Sequence, residues 1–374
     1  MIGEISHMAQ VLLWKQIFSD YHNLGLSLSR KQVTRYLSNV SGNKIRVKIT
    51  NKYGRTPLIL TNLSLSTTKQ FHDSFVFSLH GEQLFSIPAG ETRWTDWLSF
   101  DTLANHPIYF SIEAKNKQNS IFTLANTLDN QIIEVLQPLN DDYPTFYYGI
   151  ESIEVDTSQS PKLLAFFGDS LTSQGYFTGE LTQRLYKAFP NKLTTMNAGI
   201  SGNRLLREGN SISEWSNSFG EAGIARLKKD VLSSSPDIVL FLAGINDLFH
   251  PGAGSPSQEL PSTNELISGI KFVQELCEES GCLFCPVTLS PFKGSSNHGI
   301  ASWSPEKERI REDINHYILT LPHAIHLAEF TCDEADSALL KEGLDSGDHL
   351  HFSSFGGKTI GAYLFTSLMK TIFH

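Results

Sequence analysis

Cysteine is scarce in this chain, with four in 374 residues, so no disulfide scaffold is expected. A basic excess is absent as well. The net charge is −9 and no dense run of Lys and Arg reverses it locally, which excludes the basic surface that a nucleic-acid or anionic-membrane partner requires. Long apolar runs are missing: the early cluster Val11–Trp14 is closed by Lys15, too soon for a signal peptide or a membrane span. Met1–Met8 has no basic segment leading into an apolar one, so a cytoplasmic location and no membrane partner are expected. Also lacking are a Gly-x-Ser-x-Gly elbow, a Gly-Lys-Ser/Thr phosphate loop, a His-Glu-x-x-His pair and a Gly-x-Gly-x-x-Gly turn after a strand. No metal and no organic cofactor are therefore expected. Cys277, Cys282 and Cys285 are close in sequence, but the last two fall three apart on an expected strand and point to opposite faces. They read as core thiols.

What is present falls into two rhythms. A chain of this length suggests two domains. Lys44–Thr50 alternates charged with apolar residues, the period of a strand with one wet face. Similar segments are 58–66, 74–80, 92–100 and 107–114, separated by turn signals such as Pro88-Ala89-Gly90, and residues 145–150 close the set. Short strands at this spacing predict an all-β sandwich or jelly roll over residues 1–160.

After Ser158-Gln159-Ser160-Pro161, apolar strands alternate with helical stretches, the pattern of an α/β fold with a parallel sheet over residues 161–374. The strands are expected at 163–167, 194–198, 237–243, 283–288 and 324–327. Helices are expected at 179–189, 219–233, 264–279, 305–319 and 354–372, with Ser304-Pro305 as a cap and first-turn proline.

Chemistry gathers where these strands end. Lys162–Phe167 is a buried-strand run that stops at Gly168-Asp169-Ser170, and functional groups of open α/β sheets lie at the carboxyl ends of strands. Asn197–Arg204 brings glycines that let backbone N–H groups approach an anion. Gly244-Ile245-Asn246-Asp247 brings a side-chain amide to the same rim. Before the last helix, Asp348 and His351 stand three apart, on one side of a turn. A serine alcohol needs an imidazole to take its proton, the imidazole needs a carboxylate, and the tetrahedral intermediate needs donors. Ser170, His351 and Asp348 fit the first three roles. The backbone N–H groups of Ser170 and Gly202 and the amide of Asn246 fit the oxyanion hole.

Phe167-Gly168-Asp169-Ser170, Ser201-Gly202-Asn203, Gly244–Asp247 and Asp348–His351, in that order, resemble the SGNH subgroup of the GDSL esterase/lipase family over residues 162–372. The two-domain subgroup with a preceding β-sandwich is also similar, including its stretches at Arg226–Leu232 and Asp345–His351. The resemblance implies a flavodoxin-like three-layer hydrolase domain, Ser170 as nucleophile, Asp348 and His351 as triad partners, and Gly202 and Asn246 in the oxyanion hole. Phe352 departs from the family, which has Pro after the catalytic His. Gly356 keeps the family's distance from His351, which favours His351 over His349 as the base.

Other residues have plainer readings. Asp169 reads as a cap and Asp247 as a loop brace, with Asn203 as a further support. His250, His298, His323 and His326 read as structural or surface residues, and His349 as a turn residue. Trp215 and Trp303 are candidates for a pocket wall or for packing, and Trp94 and Trp97 for a carbohydrate platform or, by default, for sheet packing. The expected function is hydrolysis of carboxylic esters through an acyl-Ser170 intermediate, with short acyl groups such as acetyl on a carbohydrate as the substrate. The alternatives are acyl transfer by the same triad and carbohydrate binding with a silent hydrolase domain.

Overall fold

The structure is a computed structural model that describes residues 8–24, 31–117, 120–129, 131–136 and 145–372. Residues 1–7, on which the expected lack of a leader rests, lie outside the described residues. The chain divides into two compact units: one holds the residues up to Leu163 together with Leu185–Met196, the other Leu164–Arg184 together with the chain from Asn197 onward.

The first unit is a sandwich of antiparallel strands. In one sheet Ile133–Val135, Lys31–Ser38, His106–Ala114 and Leu58–Ser66 lie side by side, with Phe75–Val76 and Phe85–Ile87 on the last. In the other, Phe146–Thr157 runs between Ala9–Gln16 and Gly42–Thr50, and Gly42–Thr50 also pairs with Thr92–Trp94 and Leu98–Thr102. Ile45, Val47 and Ile49 are fully buried, as the alternation predicts. The facing sheets are joined by polar as well as apolar contacts. Gln32 Nε2 donates to the Phe146 carbonyl at 2.9 Å while its Oε1 accepts from Tyr148 N at 3.1 Å, and Tyr36 Oη donates to the Leu13 carbonyl at 2.7 Å.

Two of the expected strands of this unit take another form. Residues 92–100 form two short strands that break at Thr95 and Asp96: Thr95 N still donates to the Val47 carbonyl at 2.9 Å, but the Val47 N–H goes to Thr95 Oγ1, and Asp96 takes the N–H groups of His80 and Gly81. Residues 74–80 shrink to Phe75–Val76 and a bridge between Leu79 and Glu82.

In the second unit parallel pairing runs Leu164↔Ile238 to Gly168↔Leu242 and Ile238↔Leu283 to Phe241↔Pro286. Every residue from Leu163 to Gly168 is buried, and Phe167 stacks on Phe241 with centroids 5.9 Å apart. Truncating such a ring costs about 3–5 kcal/mol. The helix Thr263–Glu279 starts at a capping box of Ser262 and Glu265, Pro305–Leu319 starts at Ser304, and Ser353 caps Ser354–Thr371. The strand expected at 324–327 reduces to a single parallel bridge, Val287↔Ile325, because Leu327 already opens the helix Leu327–Thr331. The helix expected at 219–233 is confined to Gly223–Asp230 between 3₁₀ turns. Asn203 Nδ2 donates to the carbonyls of Phe219 and Glu221, and Gly220 is left-handed at φ 71°, so no helix passes through them. Cys277, Cys282 and Cys285 are buried free thiols; burial pushes Cys285 up to about 12. Among the described residues no helix is long and apolar enough to cross a membrane, and no group of three or more His, Cys, Asp or Glu is placed to hold a metal ion.

Candidate active site

The strand Lys162–Gly168 delivers its last residue into a tight turn. A Cβ on Gly168 would lie 2.2 Å from Thr172 Oγ1 and 2.4 Å from the Leu242 carbonyl, so only glycine fits. Asp169 caps the short helix Ser170–Ser173, its Oδ1 accepting from Leu171 N at 3.1 Å. Burial raises its carboxyl to about 7, against the pull of the Leu171 N–H, His351 and Arg226.

Ser170 Oγ stands 2.8 Å from His351 Nε2, and His351 Nδ1 stands 2.6 Å from Asp348 Oδ2. With Nδ1–H donating to the carboxylate, Nε2 is left to accept from the serine hydroxyl. Asp348 Oδ1 also accepts from the backbone of Leu350 and His351 and from Ser346 Oγ. Burial alone would raise the Asp348 carboxyl, but the hydrogen bond and charge of His351, with these backbone donors, hold it well below the usual carboxylate range. Phe352, at the position of the family's proline, is buried at 2 % exposure and pairs with Asp345, while Ser346 N donates to the His351 carbonyl at 2.9 Å. His349 instead bonds Asp345 Oδ2 at 2.7 Å from a left-handed backbone and makes no bond to Ser170.

The remaining site residues meet on one network. Asn246 Nδ2 donates one hydrogen to the Asn203 carbonyl at 3.0 Å, which fixes the amide and leaves its second N–H for the cavity. Asn203 Oδ1 accepts from Arg226 Nε at 2.9 Å. Asp247 accepts from Leu205 N at 2.6 Å and Leu206 N at 3.0 Å, bracing the glycine loop, and burial raises its carboxyl to about 6. Gly202 is left-handed at φ 74°, and a Cβ there would strike the Phe219 ring at 2.2 Å.

Sequence reasoning assigned no role to Arg226. The residue is 1 % exposed, and its guanidinium lies 4.3 Å over the Phe167 ring and also donates to the carbonyls of Ala198 at 2.8 Å and Gly168 at 2.9 Å. One rigid fork thus ties the residue before the Asp169-Ser170 turn to the glycine loop and, through Asn203, to Asn246. Its acceptors are mostly backbone carbonyls, which leave no mark in a sequence.

A cavity of about 540 Å³ opens on Ser170, Gly202, Asn246 and His351, walled by Trp215, Phe219, Phe249 and His250 and by the polar Ser213 and Asn297. Trp215 is therefore a wall residue. Trp303 does not line this cavity; its Nε1 donates to Glu308 Oε2 at 3.0 Å. His250, read from sequence as structural or surface, is buried and lines the cavity, whereas His298 and His323 are exposed and His326 pairs with Glu329. Polarised serine, oriented imidazole and aimed N–H donors together can attack a carbonyl and hold the resulting oxyanion.

The model of the GDSL-like Lipase/Acylhydrolase family matches residues 166–358, just over half of the chain. No curated protein matches significantly in sequence. Among solved structures, a GDSL-like lipase from Bacteroides thetaiotaomicron is similar at 17% identity, covering 56% of this chain and 89% of its own, with a TM-score of 0.41. An acetyl xylan esterase, AlAXEase, is similar at 17% identity over 55% of this chain and 99% of its own, with a TM-score of 0.42. A catalytic mutant of an acetylxylan esterase from Geobacillus stearothermophilus is similar at 18% identity over 57% and 95%, with a TM-score of 0.37. On the family match, the chain belongs to the GDSL-like lipase/acylhydrolase family and is a carboxylic ester hydrolase.

Proposed function

We propose that the enzyme cleaves short-chain esters, such as acetyl groups on a carbohydrate, through an acyl-Ser170 intermediate. His351 Nε2 takes the hydroxyl proton as Ser170 Oγ attacks the ester carbonyl. The Asp348 carboxylate holds the imidazole tautomer and stabilises the imidazolium. The carbonyl oxygen, now negative, receives the N–H groups of Ser170 and Gly202 and the free N–H of Asn246. His351 returns its proton to the departing alcohol. Water, deprotonated by the same nitrogen, then releases the acid and frees Ser170. The observation that carries this reading is the pair of hydrogen bonds, 2.8 Å and 2.6 Å, linking Ser170 to Asp348 through His351 at the mouth of a cavity. Trp215, Ser213 and Asn297 in the wall suit an alcohol with both a flat apolar face and hydroxyls.

Residues 161–374 carry the reaction in this proposal, and residues 1–160 form an accessory domain. The test is Ser170→Ala with p-nitrophenyl acetate: kcat/KM is expected to fall by about 10³-fold or more with the far-UV circular dichroism unchanged. Full activity in that variant would sink the assignment of the nucleophile.

A further inference from the structure

His250 is 5 % exposed and lines the cavity; its two ring nitrogens are themselves closed to solvent, and neither makes a full hydrogen bond with the protein's own groups. Its backbone is fixed: His250 N donates to the Asn246 carbonyl at 3.2 Å, and the His250 carbonyl accepts from Ala253 N and Ser255 N. His250 stands four residues after Asn246, at the end of the helix Ile245–Phe249, in helical backbone at φ −72°, ψ −41°. One helical turn therefore presents the Asn246 amide and the His250 ring on the same face, toward the same cavity. The ring lies between two others, tilted against Phe219 at 5.2 Å and edge-on to Phe249 at 5.4 Å. Phe219 in turn packs against Gly202, so the imidazole belongs to the wall beside the oxyanion donors.

A histidine serving only as filler among phenylalanines would satisfy its nitrogens with nearby carbonyls, because a buried polar group without a partner costs stability. The Gly202 backbone interacts with the ring and favours its charged form, but no full hydrogen bond joins them. Burial, Arg204, Lys307 and His298 all disfavour a charge on this ring and hold its pKa down to about 4, so it is neutral near pH 7. A neutral imidazole offers one donor and one acceptor. Either nitrogen can therefore meet a hydroxyl, the donor nitrogen giving its hydrogen to the oxygen or the acceptor nitrogen taking the hydroxyl hydrogen, whereas a carboxylate can be met by the donor nitrogen alone.

We infer that His250 is a specificity-determining residue whose ring turns toward the cavity to hydrogen-bond a hydroxyl of the ester substrate. The inference rests on the cavity beside Ser170 being the ester site. The hydroxyl has two possible sources, the alcohol part, as in a monoacetylated sugar, or the acyl part, as in a hydroxyacyl ester.

Two substrate pairs separate these sources: methyl monoacetyl-β-D-xyloside against cyclohexyl acetate, and ethyl 3-hydroxybutyrate against ethyl butyrate. In each pair the readout is the ratio of kcat/KM for the hydroxylated member to that for its partner. The native enzyme is expected to favour the hydroxylated member of one pair by at least about tenfold, as sites built to bond a hydroxyl do. His250→Phe should bring that ratio to near one, and His250→Gln, which keeps a donor and an acceptor, should retain part of it. Because each ratio is internal to one variant, a partly folded preparation does not shift it. Ratios near one for the native enzyme in both pairs, or a tenfold ratio untouched by His250→Phe, would overturn the inference. Either result, in a chain whose activity still requires Ser170, would leave the esterase mechanism standing.

Discussion

The two units each carry a cluster of aromatic residues beside a nitrogen base, and the clusters differ in what closes them. In the sandwich, Trp94 and Trp97 hold the Arg46 guanidinium between them, 4.6 Å and 4.5 Å from the ring centroids, and Arg46 is in turn held by Glu154 and Gln10. One face of each ring is occupied by the protein's own cation. In the hydrolase unit, Trp215, Phe219 and Phe249 line a cavity, and the base among them, His250, has no partner of its own. Aromatic composition alone does not mark a binding site. A polar group without a partner beside a cavity does.

The contrast can be broken at several points. Asn246→Ala removes the free amide N–H aimed at the cavity and should lower kcat about 10²–10³-fold with little change in KM, measured by steady-state kinetics. An equal rise in KM instead would mean that Asn246 binds the ground state. Arg226→Met removes the guanidinium donors of the Ala198 carbonyl and the Asn203 amide oxygen, leaves the Gly168 carbonyl with Ile200 N at 3.2 Å, and takes away the cation beside Asp230; urea denaturation should show a loss of about 3 kcal/mol or more. Because Asn203 and the Ser170 turn then lose their tie, kcat should fall in the surviving folded fraction, on the order of tenfold.

Asp169 gives a smaller effect with a defined sign. Its carboxyl is raised from 3.8 to about 7 in the fold, so between those pH values the folded state binds a proton that the unfolded chain has released. Its contribution to stability therefore declines as pH rises from about 4 to about 7 and is flat above. Asp169→Asn keeps a capping oxygen and removes the titration, so the melting temperature of the variant relative to native should climb by a few degrees across that window. The smallest effect belongs to the sandwich. Trp97→Ala should cost about 1 kcal/mol of stability and change kcat/KM on soluble acetylated sugars by less than about twofold. A large loss of activity there would erase the contrast between the two aromatic clusters.

Much of the hydrolase unit was legible because its strands are continuous apolar runs and its motifs sit where those runs stop. Ser170, Asp348 and His351 could be named together since their chemistry requires them as a set. Arg226 could not, since the groups it holds are chiefly carbonyls common to every residue. His250 was missed for a different reason: Asn246 was read as a strand-end residue, and only the helix Ile245–Phe249 makes a residue four positions on its neighbour. In the sandwich, Lys31–Ser38 escaped the period-two reading because polar Gln32 is buried to bond the facing sheet and Thr34 is buried beside Val33. The strand Ala9–Gln16 escaped because a register shift between Leu12 and Trp14 breaks its alternation.

The nucleophile itself is the central claim, and covalent labelling tests it most directly. The native enzyme would be treated with diethyl p-nitrophenyl phosphate, an acyl-like phosphorylating agent for activated serines, and mapped by peptide mass spectrometry. One diethylphosphoryl group on Ser170, accumulating in step with the loss of esterase activity and absent from His351→Ala, is the predicted result. Complete inactivation with Ser170 unmodified, or with the group on another residue, would contradict the account.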